Sequence, residues 1–257
     1  MSPNFQQFKH LHQSGDLLVL PNAWDPHSAR LLQGKQFSAV ATSSAAVAQC
    51  LGYEDGEKMP FRDYLFVITR ILSSIQIPLS VDMEMGYGSS DEEIYNNILK
   101  LIELGVSGIN IEDSIITSSV RTLREARGFA RTVAFIRNKL ESAGLDLFIN
   151  VRCDTFLLNV ENKAEETHHR VKIYETAGAD GIFLPFIVKE QDIAEAVNAT
   201  RLPLNVMCFP GLPGFDVLRQ LGVKRVSMGP FLFSKVYGQI DQFIGNIAAN
   251  KNFSSIL

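Results

Sequence analysis

This 257-residue chain predicts an α/β fold, a (β/α)8 TIM barrel, and three observations carry the prediction. Short apolar runs alternate with longer helical stretches from one end to the other. Eight such runs occur. Glycines at Gly34, Gly105, Gly144, Gly178 and Gly222 stand shortly before the next run, where a left-handed stop ends a helix. Strands separated by helices run parallel with right-handed crossovers, and closing eight of them into a ring is the simplest arrangement. A doubly wound open sheet would carry a Gly-rich phosphate loop after its first strand, but that position reads Pro21-Asn22-Ala23-Trp24. One domain over 1–257 suits the length, and a core of that size needs no disulfide or metal staple.

The elements follow in order. The N-terminal piece, with Phe5, Phe8 and Leu11, predicts an extra helix closing the bottom of the barrel. The strands are expected at 17–20, 37–42, 78–83, 107–112, 146–152, 180–184, 203–207 and 225–228. Asp25-Pro26 reads as an N-cap followed by proline at the first helical position. Ser90-Asp91-Glu92-Glu93 reads as a capping box, and Ile94, Ile98, Leu101 and Ile102 then form one apolar stripe. The last segment, 231–248, carries Val236, Ile240, Phe243 and Ile247, a surface suited to packing between subunits.

Composition narrows the function. The formal net charge of −4 lacks the basic excess of a nucleic-acid-binding surface. The N-terminus has no long apolar run, so neither a signal peptide nor a membrane anchor is expected, and no other stretch is long enough to span a bilayer. Cys50, Cys153 and Cys208 are three, far apart and without a C-x-x-C pair, which reads as reduced thiols in a cytoplasmic protein and not as a zinc site.

Chemistry in a barrel enzyme belongs at the C-terminal strand ends, and residues two apart on a strand share a face. The third strand ends Ser80-Val81-Asp82-Met83-Glu84, which turns Asp82 and Glu84 inward and Val81 and Met83 out against the helices. By the same alternation Asn110 and Glu112 face inward from the fourth strand, and Asn150, Arg152 and Asp154 from the fifth. Three adjacent strands thus deliver Asp82, Glu84, Glu112 and Arg152 to one rim. Carboxylates about 5 Å apart repel by roughly 3 kcal/mol per pair at an effective dielectric near 20, and one arginine offsets part of that. A divalent cation resolves the rest. All-oxygen donors without His or Cys favour Mg²⁺, or Mn²⁺, over zinc. Asp113 and Asp154 lie past the strand ends and carry less weight, as loop caps.

These segments also carry a family likeness. Asp82-Met83-Glu84-Met85-Gly86-Tyr87-Gly88 resembles the D-x-D/E-x-G-Y/F-G motif of the isocitrate lyase / phosphoenolpyruvate mutase superfamily. Pro21-Asn22-Ala23-Trp24-Asp25 resembles its P-G-A-x-D segment. The stretch from Ser43-Ser44-Ala45-Ala46-Val47-Ala48 to Leu51-Gly52-Tyr53-Glu54-Asp55 is similar to S-G-x-x-V-A…L-G-x-x-D. Ile109-Asn110-Ile111-Glu112-Asp113 and Asn150-Val151-Arg152-Cys153-Asp154 match the later I-x-I-E-D and N-x-R-x-D signatures. The resemblance implies that Asp82 binds Mg²⁺ directly, that Glu84 and Glu112 hold it directly or through water, and that Asp55 completes the outer shell. It implies a substrate carboxylate cradled near Ser43 and Ser44 and paired with Arg152, with Asn205 and Trp24 as further substrate contacts; Trp24 either walls the pocket or simply packs. It implies a small 2-oxo carboxylate substrate, a metal-stabilised enolate, and making or breaking of a C–C or P–C bond beside it, with Arg152, Glu112 and Asp55 in the catalytic set. Homodimers or homotetramers are usual among such relatives.

The chain departs from the pattern after the fourth strand. Isocitrate and methylisocitrate lyases carry K-K-C-G-H there, and phosphonomutases a Lys-Asn-Ser type loop; here the residues are Asp113-Ser114-Ile115-Ile116-Thr117-Ser118-Ser119-Val120-Arg121. Arg121, Arg124 and Arg127 read as a solvated helix face, the alternative being that they reach a second anionic group on the substrate. The remaining histidines, His10, His12, His27, His168 and His169, read as ordinary surface residues, and Cys153 as a buried thiol facing outward. Two further functions compete. A phosphate-binding barrel would use Phe209-Pro210-Gly211 and Gly229, where such sites form. A barrel that binds a small acid without converting it would fit the loop that lacks Cys, Lys and His. A Schiff-base aldolase finds no lysine at the mouth of the sixth strand, Phe183-Leu184-Pro185.

Overall fold

In the computed structural model, which describes residues 3–257, all eight expected strands form, and a short extra one follows the first. The chain opens with α1 (Pro3–Gln13), β1 (Leu18–Leu20), β2 (Asn22–Ala23) and α2 (Pro26–Gly34). β3 (Val40–Thr42), α3 (Ser44–Cys50), α4 (Phe61–Leu72), β4 (Leu79–Asp82) and α5 (Asp91–Leu104) follow. β5 (Gly108–Glu112) leads into β6 (Ser114–Thr117) and β7 (Val120–Leu123), then α6 (Ala126–Ala143) and β8 (Phe148–Arg152). The chain ends with α7 (Lys163–Thr176), β9 (Gly181–Leu184), α8 (Glu190–Ala199), β10 (Leu204–Met207), α9 (Phe215–Gln220), β11 (Arg225–Ser227) and α10 (Phe231–Asn250).

Nine parallel strands run in the order β1-β11-β10-β9-β8-β5-β4-β3-β2. β1 pairs with β11 and β2 with β3, and only Pro21 separates β1 from β2, so the ring closes through the proline. Proline has no N–H to give a ladder, but its carbonyl accepts from Ala41 N–H at 2.8 Å. Asn22 stitches the seam: its Nδ2 donates to Thr42 O at 2.7 Å, and its Oδ1 accepts from Met228 N–H and Gly229 N–H.

Local signals in the sequence set the helix ends. Asp25 caps α2 in a box with Ser28, and Pro26 occupies its first turn. Ser90 caps α5 by accepting from Glu93 N–H, while Glu93 turns to Ser89 instead of to Ser90. Gly105, Gly144, Gly178 and Gly222 have positive φ as expected. Gly34 is the exception: it is the last residue of α2, and the left-handed position falls at Gln36 because the chain makes one more turn before leaving. The 114–123 stretch forms an antiparallel hairpin, β6–β7, where a loop was expected, turning through Ser118 and Ser119, both at positive φ.

Alternation along the strands separates two apolar layers. Val81, Met83, Ile109, Ile111, Val151 and Cys153 face outward into the large core between barrel and helices. Inside the barrel, Phe5, Phe8, Leu18, Leu20, Ala39, Ala41 and Phe148 form a second cluster, and α1 closes the bottom. Phe8 meets Phe148 edge to face at 5.5 Å. His12 stacks on Phe148 at 4.2 Å and is buried, not on a solvated face as the sequence suggests. Burial, together with the positive charge of Arg225, drives its pKa down to about 3, against the Nδ1 contact to Phe8 O. A Cβ on Gly108 would lie 2.7 Å from Phe8 Cε1, so this strand start has no room for a side chain.

Above that cluster the barrel interior turns polar. Asn150 Nδ2 donates to Asn110 Oδ1 and Asn205 Oδ1 at 2.8 and 3.2 Å, and Arg225 Nη2 reaches Asn110 Oδ1 at 3.2 Å. Burial pulls Arg225 down to about 9, which leaves it charged at neutral pH. On the outside, α10 buries Phe233 and exposes Tyr237, Ile240, Phe243 and Ile244. Among the described residues no helix is long and apolar enough to cross a membrane.

Candidate active site at the strand ends

The register brings the polar residues of three strands side by side: Asp82 lies beside Asn110 on β5, and Glu112 beside Arg152 on β8. Asp82, the last residue of β4, is held on every side. Its N–H donates to Thr42 Oγ1 at 3.0 Å, its carbonyl accepts from Tyr64 OH at 3.0 Å, and its Oδ2 accepts from Ser44 Oγ at 2.8 Å. Burial raises the Asp82 carboxyl, while Arg152 and Ser44 pull it back. Ser44, expected beneath a substrate carboxylate, is here turned to Asp82, and Ser43 caps α3 by accepting from Ala46 N–H.

Glu84 follows two residues later at φ 48, and that backbone turns its buried side chain into a second set of partners. Oε1 accepts from Tyr87 OH at 2.7 Å and Oε2 from Glu57 N–H at 2.9 Å. Glu57 in turn accepts from Tyr87 N–H at 2.7 Å, so the 51–60 and 83–90 loops lock each other. Burial first, then the neighbouring charges of Asp55 and Asp82, pushes Glu84 up to about 8. Asp55 itself is exposed on the 51–60 loop, near enough for its charge to raise both Asp82 and Glu84.

Glu112 ends β5 and is 1% exposed. Two arginines hold it. Arg121, from β7, contacts Oε1, which also accepts from Ser114 Oγ at 3.2 Å; Arg152 Nη1 lies 2.9 Å from Oε2. Arg152 also holds Asp154, Nε to Oδ1 at 2.6 Å and Nη2 to Oδ2 at 3.2 Å. Burial pushes Glu112 up to about 7 against the pull of both arginines. Burial also opposes the charge on Arg152, but Glu112, Asp154 and Asp82 outweigh it and keep the guanidinium protonated.

Several expectations change here. Arg121 is not on a solvated helix face but on a hairpin strand that points it into the site. Asp113 and Asp154 are fully buried members of the network and not loop caps: Asp113 accepts from Asp154 N–H, Tyr174 OH and Arg170 Nη1. Glu57, Arg170 and Tyr174 escaped the sequence reading because each acts from a loop or helix with no strand-end signature. Asn205 lies a layer below the rim with its amide committed to Val206 O, Ser227 Oγ and Asn150, away from the mouth. Trp24 packs edge to face on Phe233 at the root of α10. His168 and His169 are exposed and Cys153 is buried, as expected. Of the two loops that could hold phosphate, the one after β10 packs Phe209 on Phe186 and Phe231 but exposes Pro210 and Gly211, and the one after β11 has its Gly229 N–H taken by Asn22.

The expected metal trio does not converge. Among the described residues no three His, Cys, Asp or Glu side chains gather as a metal cage. Asp82, Glu84 and Glu112 instead point to separate partners. The donor chemistry still fits a hard cation: the carboxylates are oxygen donors, buried and raised in pKa by burial and by one another. Mg²⁺ commonly takes one or two carboxylates and completes its shell with water and substrate, which this arrangement can supply from Asp82 with Glu112 nearby.

Comparison with known proteins identifies the family and the fold. The family model described as phosphoenolpyruvate phosphomutase matches residues 8–248. An uncharacterized protein of Mycobacterium tuberculosis is 34% identical over 227 residues, covering 88% of this chain and 83% of its own. An oxaloacetate decarboxylase of Pseudomonas entomophila is 26% identical over 230 residues, covering 86% and 77%. A crystal structure from Burkholderia cenocepacia, named provisionally as a phosphonomutase, superposes with a TM-score of 0.89 at 34% identity, over 95% of this chain and all of that one.

Proposed function

The chain belongs to the phosphoenolpyruvate phosphomutase family, an enzyme family of lyases and mutases, and from that premise we propose a Mg²⁺-dependent lyase acting beside the 2-oxo group of a small carboxylate. One observation supports the reading above the others: Asp82, Glu112 and Arg152 end three adjacent strands at one rim, two anionic oxygen donors beside a protonated arginine. Asp82 and Glu112 would hold the ion. When bound, Mg²⁺ supplies Lewis-acid stabilisation of the negative charge that develops on the 2-oxo oxygen.

The protein's own groups do the rest. Arg152 offers a planar fork to a carboxylate, and its Asp154 contacts fix the plane of that fork. Ser44 and Thr42 hold Asp82 in place. Arg121 and Ser114 donate to Glu112 Oε1 and hold its carboxylate in place at the rim. The likeness to oxaloacetate decarboxylases favours C–C over P–C cleavage, as does the absence of the phosphonomutase Lys-Asn-Ser loop. The commitment of the Gly229 N–H to Asn22 weighs against a phosphate-binding enzyme.

Thermal unfolding tests the site. With Mg²⁺ and oxalate together at about a hundred times Kd, stabilisation of about 2.7 kcal/mol should raise Tm by roughly 5–11 °C. Asp82→Asn should abolish the shift, and oxaloacetate should be decarboxylated by wild type alone. No shift from either component, with no turnover of 2-oxo acids, removes this reading and leaves a barrel that binds a small acid without chemistry. We further propose that the exposed apolar row of α10 packs against a second copy, making a homodimer or homotetramer.

A further inference from the structure

We propose that Arg121, carried on the β6–β7 hairpin, is the specificity-determining residue that reads a second carboxylate on the substrate; this rests on the lyase reading above. The hairpin leaves the barrel one residue after Glu112 and returns before α6. It is seated tightly: a Cβ on Gly56 would lie 2.5 Å from Ile116 Cδ1, so the hairpin lies directly on the 51–60 loop. Arg121 pairs across from Ile116, and its side chain drops toward the rim. There Nη1 contacts Glu112, donates to Ser114 Oγ at 2.7 Å and lies 3.5 Å from Asp154 Oδ2.

The partner count identifies the arginine that changes hands. Asp154 is gripped by Arg152 through two nitrogens and by Arg121 only at 3.5 Å. Glu112 and Asp154 are both shared by the two arginines, but Arg121 leans on Glu112 and Arg152 on Asp154. Once Glu112 turns to a cation, Arg152 keeps its two bonds to Asp154, while Arg121 keeps only Ser114 and the long Asp154 contact. A partly buried guanidinium so weakly compensated favours a new anion, and Arg121 is 19% exposed at the mouth. The group that replaces Glu112 must arrive from solvent and must be anionic. One carboxylate on the substrate satisfies Arg152; a second, at the far end, satisfies Arg121. Between Ser114 and Leu123 the hairpin has no Cys, Lys or His, and Arg121 is its one charged residue. The class selected is a 2-oxo acid with a carboxylate at each end.

Calorimetry on the full chain with Mg²⁺ tests this with three ligands: oxalate, pyruvate and 3,3-difluorooxaloacetate. Arg121→Gln should weaken the four-carbon diacid by about 10- to 100-fold more than it weakens oxalate or pyruvate. Arg121→Lys should recover part of the loss, because charge is kept while the fork is not. Ligand-free Tm of both variants checks that the hairpin stays folded. Equal weakening of all three ligands, or no weakening of the diacid, overturns the assignment to Arg121. If wild type with Mg²⁺ binds none of the three, the lyase reading itself fails and takes this one with it.

Discussion

The main-chain N–H of Glu57 donates to the carboxylate of Glu84 across 2.9 Å. The contact is half of an exchange, since the Glu57 carboxylate accepts from the Tyr87 N–H three residues beyond Glu84. Glu57→Ala should therefore free the 83–90 loop and weaken metal binding by about 10- to 100-fold, as loss of an outer-shell partner typically does. Manganese titration followed by electron paramagnetic resonance checks it. An unchanged Mn²⁺ affinity would mean that the two loops hold their shape without the clasp.

The raised pKa of Glu84 sets a pH trend. Its folded value, about 8, stands above the ordinary 4.5, so the folded state holds a proton that the unfolded chain releases. Stability from this group is complete below about pH 4.5 and is lost as pH rises through 8. A cation at the rim should reverse the loss, and the Mg²⁺-induced rise in Tm should grow from pH 6 to pH 8.5. Paired melting curves across that range, with and without Mg²⁺, test the sign; a flat increment would show that Glu84 is not linked to the ion.

His12 has the opposite sign. Its folded pKa is lowered to about 3, so it contributes stability above pH 6.5 that drains away as pH falls toward 3, an upper bound of roughly 5 kcal/mol. Replacing it with Phe, which can still stack on Phe148, should flatten the acid side of the stability curve. Urea unfolding at pH 7 and pH 4.5 should show wild type losing far more than the variant between the two.

Gly108 and Phe8 should behave as one unit. Gly108→Ala pushes a methyl into the Phe8 ring, an overpacking cost of about 1–3 kcal/mol. Phe8→Leu should relieve most of it, although alone it costs stability by leaving a gap above Phe148. A double-mutant cycle on denaturation midpoints should give a coupling of about 1 kcal/mol or more; strict additivity would place the two residues out of contact.

The apolar row of α10 predicts self-association. Ile240→Asp with Phe243→Asp should lower the mass seen by light scattering to 28.6 kDa. A wild type already at that mass would dismiss the paired-helix proposal.

Most of the fold was legible because alternation decides which face of a strand is wet. Val81, Met83, Ile109 and Ile111 faced the helices as their period required, and Asp82, Glu112 and Arg152 met at one rim for the same reason. β2 lies where a loop is expected after the first strand, since nothing but Pro21 marks where β1 passes its pairing to it. Arg121 was the main site residue misread. A run of three arginines at spacing three mimics a helix face, and only the turn at Ser118-Ser119 puts the first on a strand instead. The split of Asp82, Glu84 and Glu112 among separate partners was equally hidden, because the left-handed backbone at Glu84 breaks the two-residue period on which the inward assignment depended.

The stacked rings of Phe8, His12 and Phe148 across the bottom of the barrel also govern traffic. With that end packed, the rim beneath the β6–β7 hairpin is the open end of the barrel among the described residues. If the proposed cleavage is right, its two fragments leave in sequence, the one nearer the solvent first. A fragment held at Arg152 would then stand in the way of the next substrate, so the deeper product should inhibit competitively and the outer one should not.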